Sequence, residues 1–243
     1  MSSDLGPAAA LTSRARELWE CLAGAGAQFA PAVSAVVSPG ARLCPPGWAG
    51  IVVLGGAVLA TAPDPAAARV LDQALGPRPA AALADAEALS SWLPLAGMLG
   101  PAILAYLDPA EFRPQPSAVA AAPTSLDDPG LGQLLQAVSA DEVEESGLAE
   151  ITSPAFVIRE HGQVAAAAGY RGWPRDTAQL SVLTAPAARG RGLARGVASA
   201  AVAHAIAHGK LPQWRARLPA SRRVARALGF RELGFQVSLR LER

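Results

Sequence analysis

The stretch LSVLTAPAARGRGLA, which runs from Leu180 to Ala194, decides the fold of this chain. Its apolar and polar residues predict a strand over 179–184, and the apolar run after Gly192 predicts a long helix over 193–208. The N–H groups in the first turn of a helix have no partner inside the helix, and that end carries partial positive charge. The stretch therefore predicts an anion site where a strand turns into a helix.

The turn itself indicates a bulky anion. Gly190 and Gly192 have no Cβ, so the backbone can come close to a diphosphate, and Arg189 and Arg191 add charge-assisted donors. A nucleotide P-loop requires a lysine directly after its last glycine, and the single lysine of this chain lies well downstream. A dinucleotide fingerprint requires an acidic residue about 20 residues later, and the next carboxylate is that of Glu232. An ordinary strand–helix turn stays open as the simplest alternative.

The pattern R-x-x-G-x-A, formed by Arg189, Gly192 and Ala194, resembles the coenzyme A pyrophosphate loop of the GNAT N-acetyltransferase superfamily. The resemblance implies an α/β fold with a mixed, mostly antiparallel sheet flanked by helices, and acetyl-CoA as cosubstrate. It implies pantetheine contacts along the strand and a backbone N–H near Leu183 that stabilises the reaction's oxyanion. The cofactor-binding residues implied in this way are Val182, Leu183, Thr184, Arg189, Gly190, Arg191, Gly192, Leu193, Ala194 and Ser221.

A second motif follows over 214–230 in the order and spacing typical of the superfamily: a strand, a helix, and a Leu-Gly-Phe ending. Ser221 is predicted to cap the helix, and Gly229 to end it in a left-handed conformation. Many members carry an asparagine where this chain has Leu218, and a tyrosine where it has Ala225. In many members that tyrosine protonates the departing thiolate, so here the proton would come from Ser221, from water, or from no group at all.

The sequence indicates the residues that bind the acceptor amine less clearly than those that bind the cofactor. Glu144 and Glu145 lie on a short acidic helix that edges the acceptor groove in this fold, and they are candidates for binding a cationic amine or accepting its proton. A solvated acidic helix flank is the alternative. Tyr170 and Trp173 follow a predicted strand and are candidates for the acceptor pocket, with core packing as the alternative.

The remaining titratable residues do not form a second site. His204 and His208 are four residues apart on the long helix, but no third ligand is evident, so we expect surface residues and no metal. Cys21 and Cys44 have no CxxC partner, which favours a reducing compartment, the cytoplasm. The longest apolar stretch, 48–62, is interrupted by Gly-Gly and is too short to span a bilayer.

Composition sets the expected partners. A net charge of +1 lacks the basic surface that nucleic-acid binding requires. Richness in alanine, proline and arginine with a single lysine is typical of a high-GC bacterial genome. We expect a cytoplasmic bacterial protein that binds a coenzyme A thioester and an amine acceptor, and neither nucleic acid nor membrane. The oligomeric state stays open, with a homodimer among the alternatives.

Two domains are predicted: an N-terminal accessory domain over 1–116 and an acetyltransferase domain over 117–243, joined by a proline-containing extended segment. The sequence leaves open whether the first is a degenerate half of the same fold. Helices are predicted over 8–22, 65–75, 85–92, 127–138, 140–148, 193–208 and 221–228. Strands are predicted over 51–54, 57–60, 103–107, 118–122, 156–159, 164–170, 179–184, 213–217 and 235–241.

The function indicated by these patterns is transfer of an acetyl group from acetyl-CoA to a primary amine of a small molecule or a protein, by direct attack. The alternative is a non-catalytic acyl-CoA-binding or regulatory module of the same fold. That alternative is favoured by Leu218 and Ala225, which replace the polar pair of the superfamily.

Overall fold

The computed structural model describes residues 6–115 and 120–242. Contacts divide the chain into two compact units, of which the first combines residues up to Ala105 with those from Glu232 onward, and the second is Tyr106–Arg231. The end of the chain thus returns to the first unit. The predicted domains, 1–116 and 117–243, stay a prediction.

Seven α-helices and ten strands lie in the described residues. The helices are α1 (Pro7–Ala23), α2 (Pro65–Leu75), α3 (Ala86–Trp92), α4 (Pro129–Gln136), α5 (Ala140–Ser146), α6 (Leu193–Ala207) and α7 (Pro219–Ala227). The strands are β1 (Ala35–Val37), β2 (Ala49–Leu54), β3 (Ala57–Ala62), β4 (Leu95–Tyr106), β5 (Ala122–Thr124), β6 (Ala155–Glu160), β7 (Gln163–Trp173), β8 (Thr177–Thr184), β9 (Leu211–Ala216) and β10 (Arg231–Leu241).

The first unit is a mixed sheet covered by helices. Its strands follow the order β1-β3-β2-β10-β4, with β1 parallel to β3 and β2 antiparallel to both β3 and β10. Gly55 and Gly56 join β2 and β3 in a hairpin and have φ of +56° and +79°, which a primed hairpin turn requires. The side chain of Asp64 caps α2 by accepting hydrogen bonds from two backbone N–H groups, and α2 buries Leu71 and Leu75 in the core.

The second unit is also a mixed sheet with helices on both faces. Its strands follow the order β9-β8-β7-β6-β5, and every neighbouring pair is antiparallel except β8 with β9. On one face, Leu131 and Leu134 of α4 pack in a cluster with Val157, Ala167 and Leu183 of the strands. On the other face, α6 packs against β6, β7 and β8. The predicted fold class is therefore confirmed.

Short-range signals explain where the helices of this unit begin and end. Ser139 and Glu142 form a reciprocal capping box at the start of α5, and Gly147 ends it with φ of +61°. Gly229 follows α7 with φ of +98°, where a Cβ would lie 2.2 Å from the carbonyl oxygen of Glu111. Only glycine fits that position without displacement of the backbone.

Most predicted elements are confirmed within two or three residues at each end, and three differ. The strand predicted over 235–241 begins four residues earlier, at Arg231. The strand predicted over 103–107 is the end of the longer β4. The strand predicted over 118–122 lies mostly outside the described residues, and the strand that pairs with β6 there is Ala122–Thr124.

Candidate functional site

Strands β8 and β9 separate half-way along their length. They are parallel and pair at three positions, the last of which joins Gln179 to Gln213. Strand β8 continues to Thr184 and β9 to Ala216, yet the described residues show no further pairing between them. We call the space between residues 180–184 and 214–216 the β8–β9 gap.

The backbone of β8 presents N–H groups to this gap. The carbonyl of Asp176 accepts from the N–H of Leu211 on the β9 side, and the N–H of Ala185 donates to Ala165 on the β7 side. Because hydrogen-bonding groups alternate between the two edges of a strand, the N–H groups of Val182 and Thr184 face the gap. The N–H of Leu183 belongs to the β7 ladder and does not face the gap.

Strand β8 runs into a glycine loop that opens α6. Gly190 and Gly192 have φ of +76° and +82°, a region that side-chain-bearing residues rarely adopt. Gly192 is the N-cap of α6 and offers no side chain to cap it. The N–H groups of Leu193 and Ala194 have no acceptor in the part of the chain that the structure describes, as an anion site requires.

The two arginines of the loop are held by carboxylates. Arg189 Nη2 lies 2.6 Å from Glu142 Oε1, and Arg189 Nε donates to the carbonyl of Thr184 at 3.3 Å. Arg191 donates two bonds of 2.7 Å to Glu160. The pKa of Glu142 is lowered, mainly by its hydrogen bond from the backbone of Ser139 and then by Arg189. A diphosphate on this loop would have to compete with both carboxylates.

The two glutamates predicted on the acceptor side differ in their surroundings. Glu145 Oε2 accepts from Arg217, with Nε at 2.6 Å and Nη2 also bonded. This ion pair raises the pKa of the Arg217 guanidinium. Glu144 is exposed and has no hydrogen-bond partner among the described residues. Of the two predicted carboxylates, Glu144 is thus the one that no guanidinium binds.

Ser221 does not cap α7, contrary to the sequence prediction. The N-cap is Leu218, and Ser221 lies in the first turn, where its Oγ accepts a 2.9 Å hydrogen bond from the indole of Trp214. The indole also packs edge-on against Phe230. Ser221 therefore fixes Trp214, and its hydroxyl hydrogen is still available to donate.

Tyr170 is a core residue. It is 4% exposed, and its hydroxyl lies 3.0 Å from Nδ1 of His204 on the α6 side of the sheet. Burial raises the pKa of Tyr170 and lowers that of His204. His204 is half-buried and stacks on the exposed His208, so the prediction that both are surface residues is wrong for His204. Trp173 ends β7 and is half-buried.

Sequence reasoning missed a group of buried polar atoms around the gap. Gln213 is fully buried, and neither its Oε1 nor its Nε2 has a partner among the described residues. Gln179 Oε1 and Thr184 Oγ1 are also buried and have no hydrogen-bond partner among the described residues. The sequence signal for Gln213 was a glutamine at a strand position that alternation predicts to be buried. Predicted burial alone does not indicate what the side chain does.

The described residues contain no group of three His, Cys, Asp or Glu side chains placed to hold a metal ion. Among the helices of residues 6–115 and 120–242, none combines the length and apolar character needed to cross a membrane.

Comparison with known proteins assigns the family of the region that contains the gap and the loop. Residues 153–234 match the family model described as GNAT acetyltransferase. This segment is a GNAT acetyltransferase domain. The predicted family and its C-terminal placement are thereby confirmed. A search of curated proteins finds no match to the chain.

One of the solved structures supports the fold of this region. A GCN5-related N-acetyltransferase from Kribbella flavida is 20% identical with a TM-score of 0.50, and the match covers 63% of this chain and 62% of that one. A GNAT-family acetyltransferase from Colwellia psychrerythraea is 14% identical, with a TM-score of 0.48 and coverage of 61% and 59%. A Salmonella typhimurium protein described as an acetyltransferase, solved with its cofactor acetyl-CoA, is 20% identical, with a TM-score of 0.38 and coverage of 51% and 92%. The chain spans 59–65% of the length of the first structures that it matches.

Proposed function

We propose that this chain is an N-acetyltransferase that moves an acetyl group from acetyl-CoA to a primary amine of a small molecule or a protein. The observation that carries the proposal is the β8–β9 gap, because two backbone N–H groups of β8 face it and the same strand leads into the glycine loop. Such an arrangement suits a ligand with amides at one end and a diphosphate at the other.

The residues of the gap and loop fit a coenzyme A thioester. The N–H groups of Leu193 and Ala194 lack acceptors, and a diphosphate supplies them. Gly192 has a φ of +82°, so a residue with a side chain at this position would strain the backbone turn that presents these N–H groups. Thr184 Oγ1 is buried without a partner beside the gap, where a pantetheine amide would satisfy it.

Each part of the chain has a task in this reaction. When bound, acetyl-CoA supplies a thioester: the amine nitrogen bonds to its carbonyl carbon, the carbon–sulfur bond breaks, and one amine proton ends on the thiol. The N–H groups of Val182 and Thr184 are the donors for the pantetheine and the developing oxyanion. Arg189 and Arg191 exchange their carboxylate partners for phosphate oxygens, while Gly190 gives the backbone the turn that brings them there.

Few residues are candidates for transferring the protons of this reaction. Glu144, exposed and not held by an arginine, is the carboxylate we assign to accept a proton from an incoming ammonium, with water between them. Glu145 holds Arg217 in place and shapes the same edge. Ser221 Oγ accepts from Trp214, so its own hydrogen is the one available to the departing thiolate.

A non-catalytic acyl-CoA-binding module is the second candidate. Leu218, 57% exposed at the start of α7, offers no polar group, and the buried Ala225 offers no phenol to protonate a thiolate. Both observations favour binding without turnover.

A thiol-release assay separates the two candidates. The full chain is mixed with acetyl-CoA and a panel of amines, free thiol is followed over time, and mass spectrometry identifies the acetylated amine. We expect amine-dependent thiol release that matches product formation. Binding of acetyl-CoA without thiol release above the rate in buffer for any amine would favour the binding module and contradict the enzyme.

A further inference from the structure

Helix α5 is attached to both sides of the β8–β9 gap. Glu142 pairs with Arg189, whose Nη2 lies 2.6 Å from Glu142 Oε1, in the loop that follows β8. Three residues further along α5, Glu145 Oε2 accepts from Arg217 Nε at 2.6 Å, directly after the end of β9. Residues three apart are neighbours on one face of a helix. Because β8 and β9 separate before these positions, the two ion pairs tie the same face of α5 to opposite rims of the gap.

The ion pairs are the main attachment of α5 itself. Its residues, Ala140–Ser146, are all half-buried or exposed. The apolar anchors lie on either side of the helix, since Leu134 before it and Leu148 after it belong to the core cluster of this unit. Gly147 ends α5 with φ of +61° close to β8, where a Cβ would lie 3.1 Å from Ser181 Oγ. We call α5 with its two ion pairs the α5 strap.

One of the two ion pairs lies where the phosphates of the cofactor would bind. Arg189 belongs to the glycine loop and is exposed, so a diphosphate reaches it from solvent while α5 is still attached. A diphosphate carries more negative charge than one carboxylate and would displace Glu142 from the guanidinium. The other oxygen of Glu142 keeps its hydrogen bonds from Ser139, which cap α5, so the helix persists after the exchange. Arg217 lies on the other side of the gap and keeps Glu145.

We propose that the α5 strap covers the gap in the free protein and that acetyl-CoA releases it. The diphosphate takes Arg189 from Glu142, α5 then keeps only one of its two attachments, and the acceptor amine gains access to the gap. The last step, entry of the acceptor, rests on the proposed function. Cofactor and acceptor are thereby coupled through α5, and each tightens the binding of the other by the same factor.

The release is measured by amide hydrogen exchange of the full chain, with mass spectrometry of residues 140–147, without ligand, with ADP and with acetyl-CoA. ADP supplies the diphosphate without the pantetheine. We expect both ligands to speed the exchange of this segment by about two- to fivefold, the factor that one exposed ion pair supports. Unchanged or slower exchange with saturating acetyl-CoA would overturn the inference. Faster exchange with acetyl-CoA but not with saturating ADP would contradict the exchange of partners at Arg189.

Two variants of α5 assign the release to the ion pair of Arg189. Glu142→Gln removes the charge and keeps the cap, because glutamine also serves in a capping box. In this variant, residues 140–147 should exchange at the released rate without ligand and show no further change with acetyl-CoA. Glu144→Gln removes a charge from the same helix without breaking an ion pair, so its exchange should match that of wild type in both states. A Glu142→Gln variant that responds to acetyl-CoA as wild type does would contradict the inference.

The coupling is measured by calorimetry with coenzyme A, which cannot transfer an acetyl group, and the amine that the thiol-release assay identifies. We expect the amine to bind about two- to fivefold more tightly to protein saturated with coenzyme A than to free protein, and Glu142→Gln to bind it equally in both states. Equal amine affinity for free and saturated wild type contradicts the inference while the enzyme stands. Faster exchange of α5 with acetyl-CoA, without thiol release for any amine, contradicts the enzyme and supports release of the strap in a binding module. Absence of acetyl-CoA binding contradicts the proposed function, and this inference with it.

Discussion

The cofactor loop, residues 189–194, and the buried amides of Gln179 and Gln213 belong to the same GNAT domain and differ in how far sequence alone identifies them. The loop acts through its backbone, since two glycines with positive φ open a helix whose first N–H groups have no acceptor. The amide pair consists of side chains whose burial depends on distant parts of the domain. The backbone site follows from particular residue types at fixed spacing, whereas the burial of an ordinary glutamine follows from the whole domain.

The largest effect is expected when the loop loses its charge. Arg189→Ala combined with Arg191→Ala should weaken acetyl-CoA binding by at least about 100-fold, since charge-assisted bonds to phosphate contribute about 1.5–3 kcal/mol each and only the helix N–H groups remain. Isothermal titration calorimetry measures it, with Arg69→Ala in α2 as the control. Binding within twofold of wild type would show that the arginines serve only their carboxylate partners.

The next effect tests whether the acceptor region includes Tyr170. Tyr170→Phe removes the hydroxyl that lies 3.0 Å from His204 Nδ1 and should lower the free energy of unfolding by about 1 kcal/mol. The KM for the acceptor should stay unchanged, because the hydroxyl lies on the α6 side of the sheet. Urea unfolding and thiol-release kinetics measure the two quantities. A raised acceptor KM with normal stability would return Tyr170 to the acceptor pocket.

A smaller effect is expected when Glu142, which competes with phosphate for Arg189, loses its charge. Glu142→Gln should tighten acetyl-CoA binding by about two- to fivefold at low salt, since an exposed ion pair contributes about 1 kcal/mol or less. Glu144→Gln on the same helix is the matched control, because Glu144 holds no arginine. The difference between the two variants should shrink as salt increases. Equal affinities at low salt would mean that Glu142 does not compete with the phosphates.

The smallest effect concerns pH. Burial lowers the pKa of His204 below its ordinary value of 6.5, so the unfolded chain binds more protons than the folded one as pH falls through that value. Stability contributed by neutral His204 is therefore present above about pH 6.5 and lost below it. Thermal melting between pH 5 and 8 should show this fall, and His204→Gln should flatten it. The pKa of Asp128 is also lowered, but this carboxyl group affects stability only at the lower pH values where carboxyl groups titrate.

The loop and the helix ends could be predicted from sequence because each depends on local chemistry. Gly229 has positive φ where the sequence predicts the end of a helix, and Gly192 and Gly147 also have positive φ at helix boundaries. The Ser221 cap was wrong because Pro219 starts α7 two residues earlier, and the hydroxyl is used by Trp214 instead.

The side-chain partners could not be predicted, because they join residues far apart in sequence. Arg217 and Glu145 are separated by 72 positions, and Tyr170 and His204 by 34. No local pattern indicates that a glutamate is held by an arginine or that a tyrosine meets a histidine across a sheet. The same limit applies to Gln213, whose unsatisfied amide is visible only when the strands that surround it are in place.

The central claim is that the loop opening α6 holds the diphosphate of acetyl-CoA. It is tested by calorimetric titration of wild type, Gly192→Trp and Gly132→Trp with acetyl-CoA, after circular dichroism shows that all three are folded. Gly132 is the matched control, because no atom lies within 4 Å of a Cβ placed there and its φ is ordinary. We predict binding by wild type and Gly132→Trp and at least about a 100-fold loss for Gly192→Trp. Equal binding by all three, or no binding by wild type at millimolar acetyl-CoA, would contradict the account.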